Sequence, residues 1–234
     1  MRRRRTVLVG LACLAVAALL VVSLSDRNEP RYKGRRLSQW IALYSENTMT
    51  QESPDFEESK IAVQAIGTNA LPFLVNWIQH EHPRYGLAVR KYMPRDIANA
   101  SFGMYLSFGP HQERAEGAMI AFSILGSNAA PAIPALTNLM KDGTHPLTAR
   151  RAVWALGGLQ GTAFPHLVAA LADTNQLSRT SIVIVIGDFM PRYVGTNACL
   201  APLTAALADP DASTRSMAAA MLDRLGGQIP TNAP

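Results

Sequence analysis

Gly67-Thr68-Asn69-Ala70, Gly126-Ser127-Asn128-Ala129 and Gly195-Thr196-Asn197-Ala198 are three copies of one four-residue tag, and Gly161-Thr162-Ala163 is a shortened fourth. The glycines lie 59, 35 and 34 residues apart. A period in that range marks an array of helical units, and the first gap leaves room for a degenerate unit between Pro83 and Pro110. Glycine ends a helix because it enters the left-handed conformation without a Cβ clash. The Thr, Ser or Asn behind it is expected to cap the next helix. A proline follows each tag, at Pro72, Pro131, Pro165 and Pro202, and proline fits the first turn of a helix. Each tag therefore predicts a tight helix–turn–helix junction.

Working outward, the helix after each tag carries an apolar pair four residues apart: Leu74/Ile78, Leu136/Met140, Leu167/Leu171 and Leu203/Leu207. That spacing puts both members on one helical face. Polar turns come next, at Asp142-Gly143, Asp173-Thr174-Asn175 and Asp209-Pro210-Asp211. The helix before each tag repeats as well. Lys60 to Gly67 matches Arg150 to Gly157 position for position in class, and Ala121 to Gly126 and Ile182 to Gly187 follow the same apolar pattern. Small residues there permit close helix approach, and aliphatic ones fill the space between layers.

These units resemble HEAT-like repeats of the short kind first noted in phycobilisome lyases. The closest stretch is Ala208 to Ala220, with its Asp209, Asp211, Arg215 and Ala218-Ala219-Ala220. The resemblance covers about Ser59 to Gly227 and implies an all-α fold, a right-handed α-solenoid of helix pairs. It implies that Asp209 or Asp211 caps a turn and that Arg215 joins a hydrogen-bond ladder between units. Asp142 with Arg150 or Arg151 would repeat this one unit earlier. Tyr32-Lys33-Gly34, Leu37 and Trp40 are similar to the start of membrane-anchored bacterial HEAT-repeat proteins. The unit near Ser181 departs most, because Asp188 to Val194 is inserted ahead of its tag.

Three regions follow: a signal anchor or signal peptide over 1–25, a linker and capping helix over 26–58, and the repeat domain over 59–230. Arg2 to Arg5 precede an uncharged, mainly apolar run from Thr6 to Ser25. Its core, Val7 to Leu24, would span roughly 27 Å as a helix, close to the hydrocarbon thickness of a bilayer. The four arginines favour a cytoplasmic N-terminus and an extracytoplasmic, periplasmic repeat domain, although the downstream flank is basic too. The competing readings are a signal peptide cleaved near Ser23-Leu24-Ser25 and followed by secretion, a lipoprotein at Leu11-Ala12-Cys13, and a buried helix. Asp26 to Arg36 reads as a polar linker. Leu37 to Tyr44 has apolar residues at 37, 40, 41 and 44, which predicts an amphipathic helix closing one end of the array. Ser45 to Ser59 is polar, contains Pro54, and reads as a loop.

Composition removes several functions. The chain has 22 basic and 17 acidic residues, but without Arg2 to Arg5 the body is 18 against 17. A nucleic-acid partner needs a concentrated basic stripe, so none is expected. Aromatics are only 7%, which suits thin helices and not a β-sandwich. Cys13 and Cys199 form no plausible pair. His80-Glu81-His82 reads as a solvated loop, since residues two apart do not share a helical face. His111, His145 and His166 are isolated, and no metal or cofactor is expected. Cys199 sits where a helix dipole would lower a thiol pKa, yet it reads better as a small buried residue. Trp77, Trp154, Phe122 and the methionines read as core. No nucleotide loop or nucleophile elbow is present, so no catalytic residue is assigned. The sequence thus predicts a non-enzymatic, membrane-tethered scaffold for an unidentified protein partner. A ligand-binding or lyase-like role is the alternative, resting on fold resemblance alone.

Overall fold

The glycines that punctuate the sequence are where the chain turns. A computed structural model describes residues 28–46, 54–81, 110–173 and 176–226. The apolar N-terminal run and the degenerate unit between Pro83 and Pro110 lie outside the described residues. The described residues are mostly helical. A two-stranded antiparallel ribbon, β1 (Arg31–Tyr32) and β2 (Arg35–Arg36), leads into α1 (Leu37–Glu46). Then come α2 (Pro54–Ile66), α3 (Leu71–Ile78), α4 (Pro110–Leu125), α5 (Ile133–Met140), α6 (Pro146–Gly158) and α7 (Phe164–Ala172). The chain finishes with α8 (Arg179–Asp188), a single turn α9 (Pro191–Val194), α10 (Thr196–Ala205) and α11 (Ala212–Gly226).

Two stretches differ from their sequence reading. The ribbon replaces a plain linker because Lys33 and Gly34 both take positive φ, +47° and +80°, as a two-residue hairpin turn requires. Helix α2 begins at Pro54, inside the expected loop. Proline is at home in a first helical turn, and Asp55 and Glu57 there complement the helix dipole.

The junctions form as expected at Gly67 (φ +59°) and Gly126 (φ +56°), but their chemistry is different. No tag side chain caps the following helix. After the left-handed glycine the backbone tightens into a 3₁₀ turn, over Gly67–Ala70 and Gly126–Ala132, with another over Gln160–Ala163. The N–H groups of Leu71, Ile133 and Phe164 are satisfied by carbonyls three residues back, so each of these helices is entered from a 3₁₀ turn and not from a capping side chain. At the shortened tag the left-handed position falls on Gln160 (φ +60°), one residue before Gly161. Gly157 and Gly187 do not end their helices, which run on to Gly158 and Asp188.

Each helix of the first layer packs on the next: α4 on α6, α6 on α8, α8 on α11. The second-layer helices α3, α5, α7 and α10 back onto them, and α1 lies across α2 and α4. Glycines set the spacing. A Cβ on Gly158 would stand 2.8–2.9 Å from the backbone N and Cα of Ser123 on α4. One on Gly157 would stand 2.8 Å from Cγ1 of Val185 on α8. The apolar pairs are buried as expected, with one exception. Leu207 is exposed because the chain tightens to three residues per turn over Ala206–Ala208, so Ala206 takes the core position after Leu203. The helical runs Pro54–Ile78 and Gln112–Met140 are long and apolar enough to cross a membrane by length and composition. Each contains a left-handed glycine and contributes residues such as Val63, Leu74, Phe122 and Leu136 to the shared core, while Ile61 stays exposed.

Candidate binding groove

Because α4, α6 and α8 approach so closely, their outer faces form one continuous surface. On α4, Gln112, Glu116, Met119 and Ser123 recur every three or four residues and share a face. On α6 the matching positions are Arg150, Arg151 and Trp154, and on α8 they are Ser181 and Ile184, with Phe189 just beyond the helix. Together these line a cleft of about 500 Å³. Its apolar floor is half-exposed. Trp154 meets Phe189 edge-on, with centroids 5.3 Å apart at 84°, and the Arg192 guanidinium lies 5.5 Å from the Phe189 ring. A second cleft of about 230 Å³, bounded by Pro146, Leu147 and Leu177, shares Arg150 and Ser181 with the first. Leu177 is 73% exposed, the most exposed large apolar side chain among the described residues. A further cleft of about 300 Å³ lies between α7 and α10 on the other layer.

The arginines beside this groove divide into structural and free. Arg151 is buried and donates to the carbonyls of Ile78 (3.5 Å) and His80 at the C-terminus of α3. Burial lowers its pKa, against the pull of the Glu116 and Glu81 carboxylates. Glu81 answers from the same turn, accepting the Thr148 backbone N–H at 2.7 Å. His80-Glu81 is therefore a structural clasp between α3 and α6 and not a solvated loop, since two orphan groups at helix ends are satisfied at once. His82 lies outside the described residues. Arg150 is exposed and has no ion-pair partner among the described residues.

The expected ladder exists but through other residues. Arg179 donates from Nε (2.7 Å) and Nη2 (3.1 Å) to the two carboxylate oxygens of Asp209, and both side chains are buried. Gln176 adds a buried bond to the Met140 carbonyl at 2.5 Å. Burial alone would raise the Asp209 pKa, but the Arg179 hydrogen bond, the Asp211 N–H and the Arg179 charge together lower it. Asp211 caps α11, accepting from the Thr214 N–H and hydroxyl at 2.8 Å each. Among the described residues Arg215 donates to the nearby Asp209 and Pro210 carbonyls, so it is a local brace. Asp142 pairs with neither Arg150 nor Arg151. It accepts from Thr144 and contacts His145 Nδ1 at 2.7 Å, and these bonds, Thr144 first, hold its carboxyl down at about 2.

The remaining expected positions carry no chemistry in common. Cys199 is fully buried, its thiol 3.6 Å from the Gly195 carbonyl, and burial pushes it up to about 11. Phe122 is core, Trp77 is half-buried against Phe73, and His166 is exposed. Cys13 and the His111 side chain lie outside the described residues. Among the described residues no three His, Cys, Asp or Glu side chains converge. Trp154, expected in the core, is instead the wall of the groove. A family described as PBS lyase HEAT-like repeat matches residues 148–173, which is α6 from Thr148, α7 and the turn residue after it. No curated protein matches the chain. The fold is thus a helical one that contains a HEAT-like repeat.

Proposed function

We propose that this protein is a non-enzymatic scaffold, a right-handed α-solenoid held at a membrane by its N-terminal apolar segment, which grips a protein partner in the α4–α6–α8 groove. The observation that carries this reading is the half-exposed Trp154–Phe189 pair in one cleft with Arg150, which has no ion-pair partner among the described residues. Aromatic and arginine side chains in a partly closed depression are the residue types that dominate protein-binding energy. The layer-on-layer packing of α4, α6, α8 and α11 supports the solenoid reading. Arg2–Arg5 support a cytoplasmic N-terminus with the repeat domain outside the cytoplasm, or secretion if the segment is cleaved. The near-neutral body speaks against nucleic acid.

A second reading is favoured by one dimension. A cleft of about 500 Å³ also suits a small molecule or pigment. Crosslinking in cells separates the two. A photoreactive residue at Ser123, exposed on the groove, should trap one stoichiometric protein, and Trp154→Ala should abolish the product while leaving helicity intact. The same probe at Asn138, exposed on the other layer, is the control. Equal trapping at both positions, or trapping that survives Trp154→Ala, would refute the groove. A co-purifying small molecule displaced by Trp154→Ala would establish the second reading.

A further inference from the structure

The ribbon at the start of the domain has two unlike faces. Its register pairs Tyr32 with Arg35 and Arg31 with Arg36. The first pair lies on the Trp40 side: Tyr32 meets Trp40 at 6.2 Å, Arg35 stays exposed but covers the Trp40 ring at 5.0 Å, and the Trp40 indole donates to the Tyr32 carbonyl at 3.1 Å. The second pair sits on the opposite face, because side chains alternate along a strand. Like charges directly opposite each other repel, so this pair is set against local stability. Arg31 is exposed and Arg36 half-exposed, and neither has a carboxylate partner among the described residues. The nearest carboxylate in sequence, Glu29, is buried and engaged by the N–H and hydroxyl of Ser38. Lys33 stands at the tip, tied to Glu58 on α2 at 3.3 Å.

The ribbon is also rigidly mounted. The Leu37 N–H donates to the Pro30 carbonyl at 2.9 Å, and Gln39 accepts the Arg36 N–H at 2.9 Å. Leu37, Trp40 and Ile41 of α1 are buried in the domain. Only Asp26 to Pro30 separate the apolar run from Arg31, a reach of at most about 18 Å when fully extended. A chain anchored through that run keeps Arg31 and Arg36 beside the headgroups.

We infer that the Arg31/Arg36 face of the ribbon docks on anionic phospholipid headgroups and so fixes the orientation of the repeat domain on the bilayer. A phosphate bridging the two guanidiniums turns their repulsion into attraction, with charge-assisted hydrogen bonds on both sides. The inference rests on the membrane-tether reading above. It requires that the ribbon be more than a spacer, because a spacer has no use for an unneutralised arginine pair.

The test uses the full-length chain reconstituted into phosphatidylcholine vesicles, with or without phosphatidylglycerol. Flotation reports the tether, and phenylglyoxal modification, mapped by mass spectrometry, reports each arginine. Arg31 and Arg36 should react about five-fold more slowly in the anionic vesicles, the factor expected for one basic side chain near such a surface. High salt should erase the difference, and Arg215 on α11 should react equally in both. Lys33, at the ribbon tip, should be acylated more slowly in the anionic vesicles, and Arg31→Gln/Arg36→Gln should still float but lose that difference. Flotation with equal arginine reactivity in the two lipids would overturn the inference and leave the tether standing. Failure to float would overturn both. Equal protection by inorganic phosphate added to neutral vesicles would make this a free-anion site and overturn the lipid assignment.

Discussion

Replacing Asp209 with Ala tests the inter-unit ladder at its most buried point. The Arg179 and Asp209 side chains are only 10% and 5% exposed, and the guanidinium is held bidentately at 2.7 and 3.1 Å. The substitution removes both bonds, and with them the Asp211 N–H contact at 2.8 Å. It leaves Arg179 buried with its bond to the Gln176 carbonyl at 2.8 Å but without the carboxylate that holds it bidentately. Removing one partner of a buried ion pair costs about 3–5 kcal/mol. Arg179→Met/Asp209→Ala should therefore recover at least about half of the loss, since no charge is then buried. Urea denaturation of wild type, the single variants and the double variant closes the cycle. The pH dependence follows from the same geometry. The folded Asp209 pKa lies below its unfolded value, so its contribution is complete above the ordinary carboxylate range. It is lost as pH falls through the lowered folded value, and the double variant should show a shallower acid loss. A single-variant cost under about 1 kcal/mol, or a double variant no more stable than Asp209→Ala, would refute the reasoning.

Other expectations follow from the packing. Leu156 is fully buried, and Leu156→Ala should cost about 2–5 kcal/mol in urea, whereas Leu207→Ala at the exposed position should stay within about 0.5 kcal/mol. Gly158→Ala drives a methyl into the Ser123 backbone, which cannot rotate away, so it should cost about 1–3 kcal/mol; an unchanged melting temperature would mean α4 and α6 are spaced differently. Gln160→Gly should stabilise by up to about 1 kcal/mol by relieving a left-handed backbone at φ +60°, and a clear loss in thermal denaturation would show that its side-chain contact over Gly126 matters more. The depressed Asp142 carboxyl should keep the Thr144 amide hydrogen-bonded from neutral pH down towards 2, and the Thr144 amide proton shift should titrate there. Asp142→Asn should abolish that titration.

Local chemistry was legible in the sequence, and chemistry that depends on the register between units was not. The tag glycines at 67 and 126 turn the chain because left-handed φ is a property of one residue. Six of the eight apolar-pair residues lie in the first three pairs and are all buried, since a four-residue spacing needs only a regular helix. Leu207 fails because that regularity gives way to a 3₁₀ turn, which apolar spacing does not announce. Arg179 and Gln176 went unnoticed, and Glu81 was read as part of a solvated loop, for another reason. Their partners stand 30, 36 and 67 residues away, and which carbonyl or carboxylate each meets depends on how deeply one unit sinks onto the next. That depth is set by Gly157, which the sequence pattern shows only as the last position of a repeated helix, and by Gly158, which the pattern does not single out. The groove inherits the same dependence. Trp154 looks like core filling on its own helix, and it becomes a wall only because α4 and α8 are drawn close enough on either side for Met119, Ile184 and Phe189 to complete the cleft. A substitution that thickens either glycine contact should therefore disturb the groove before it unfolds the domain.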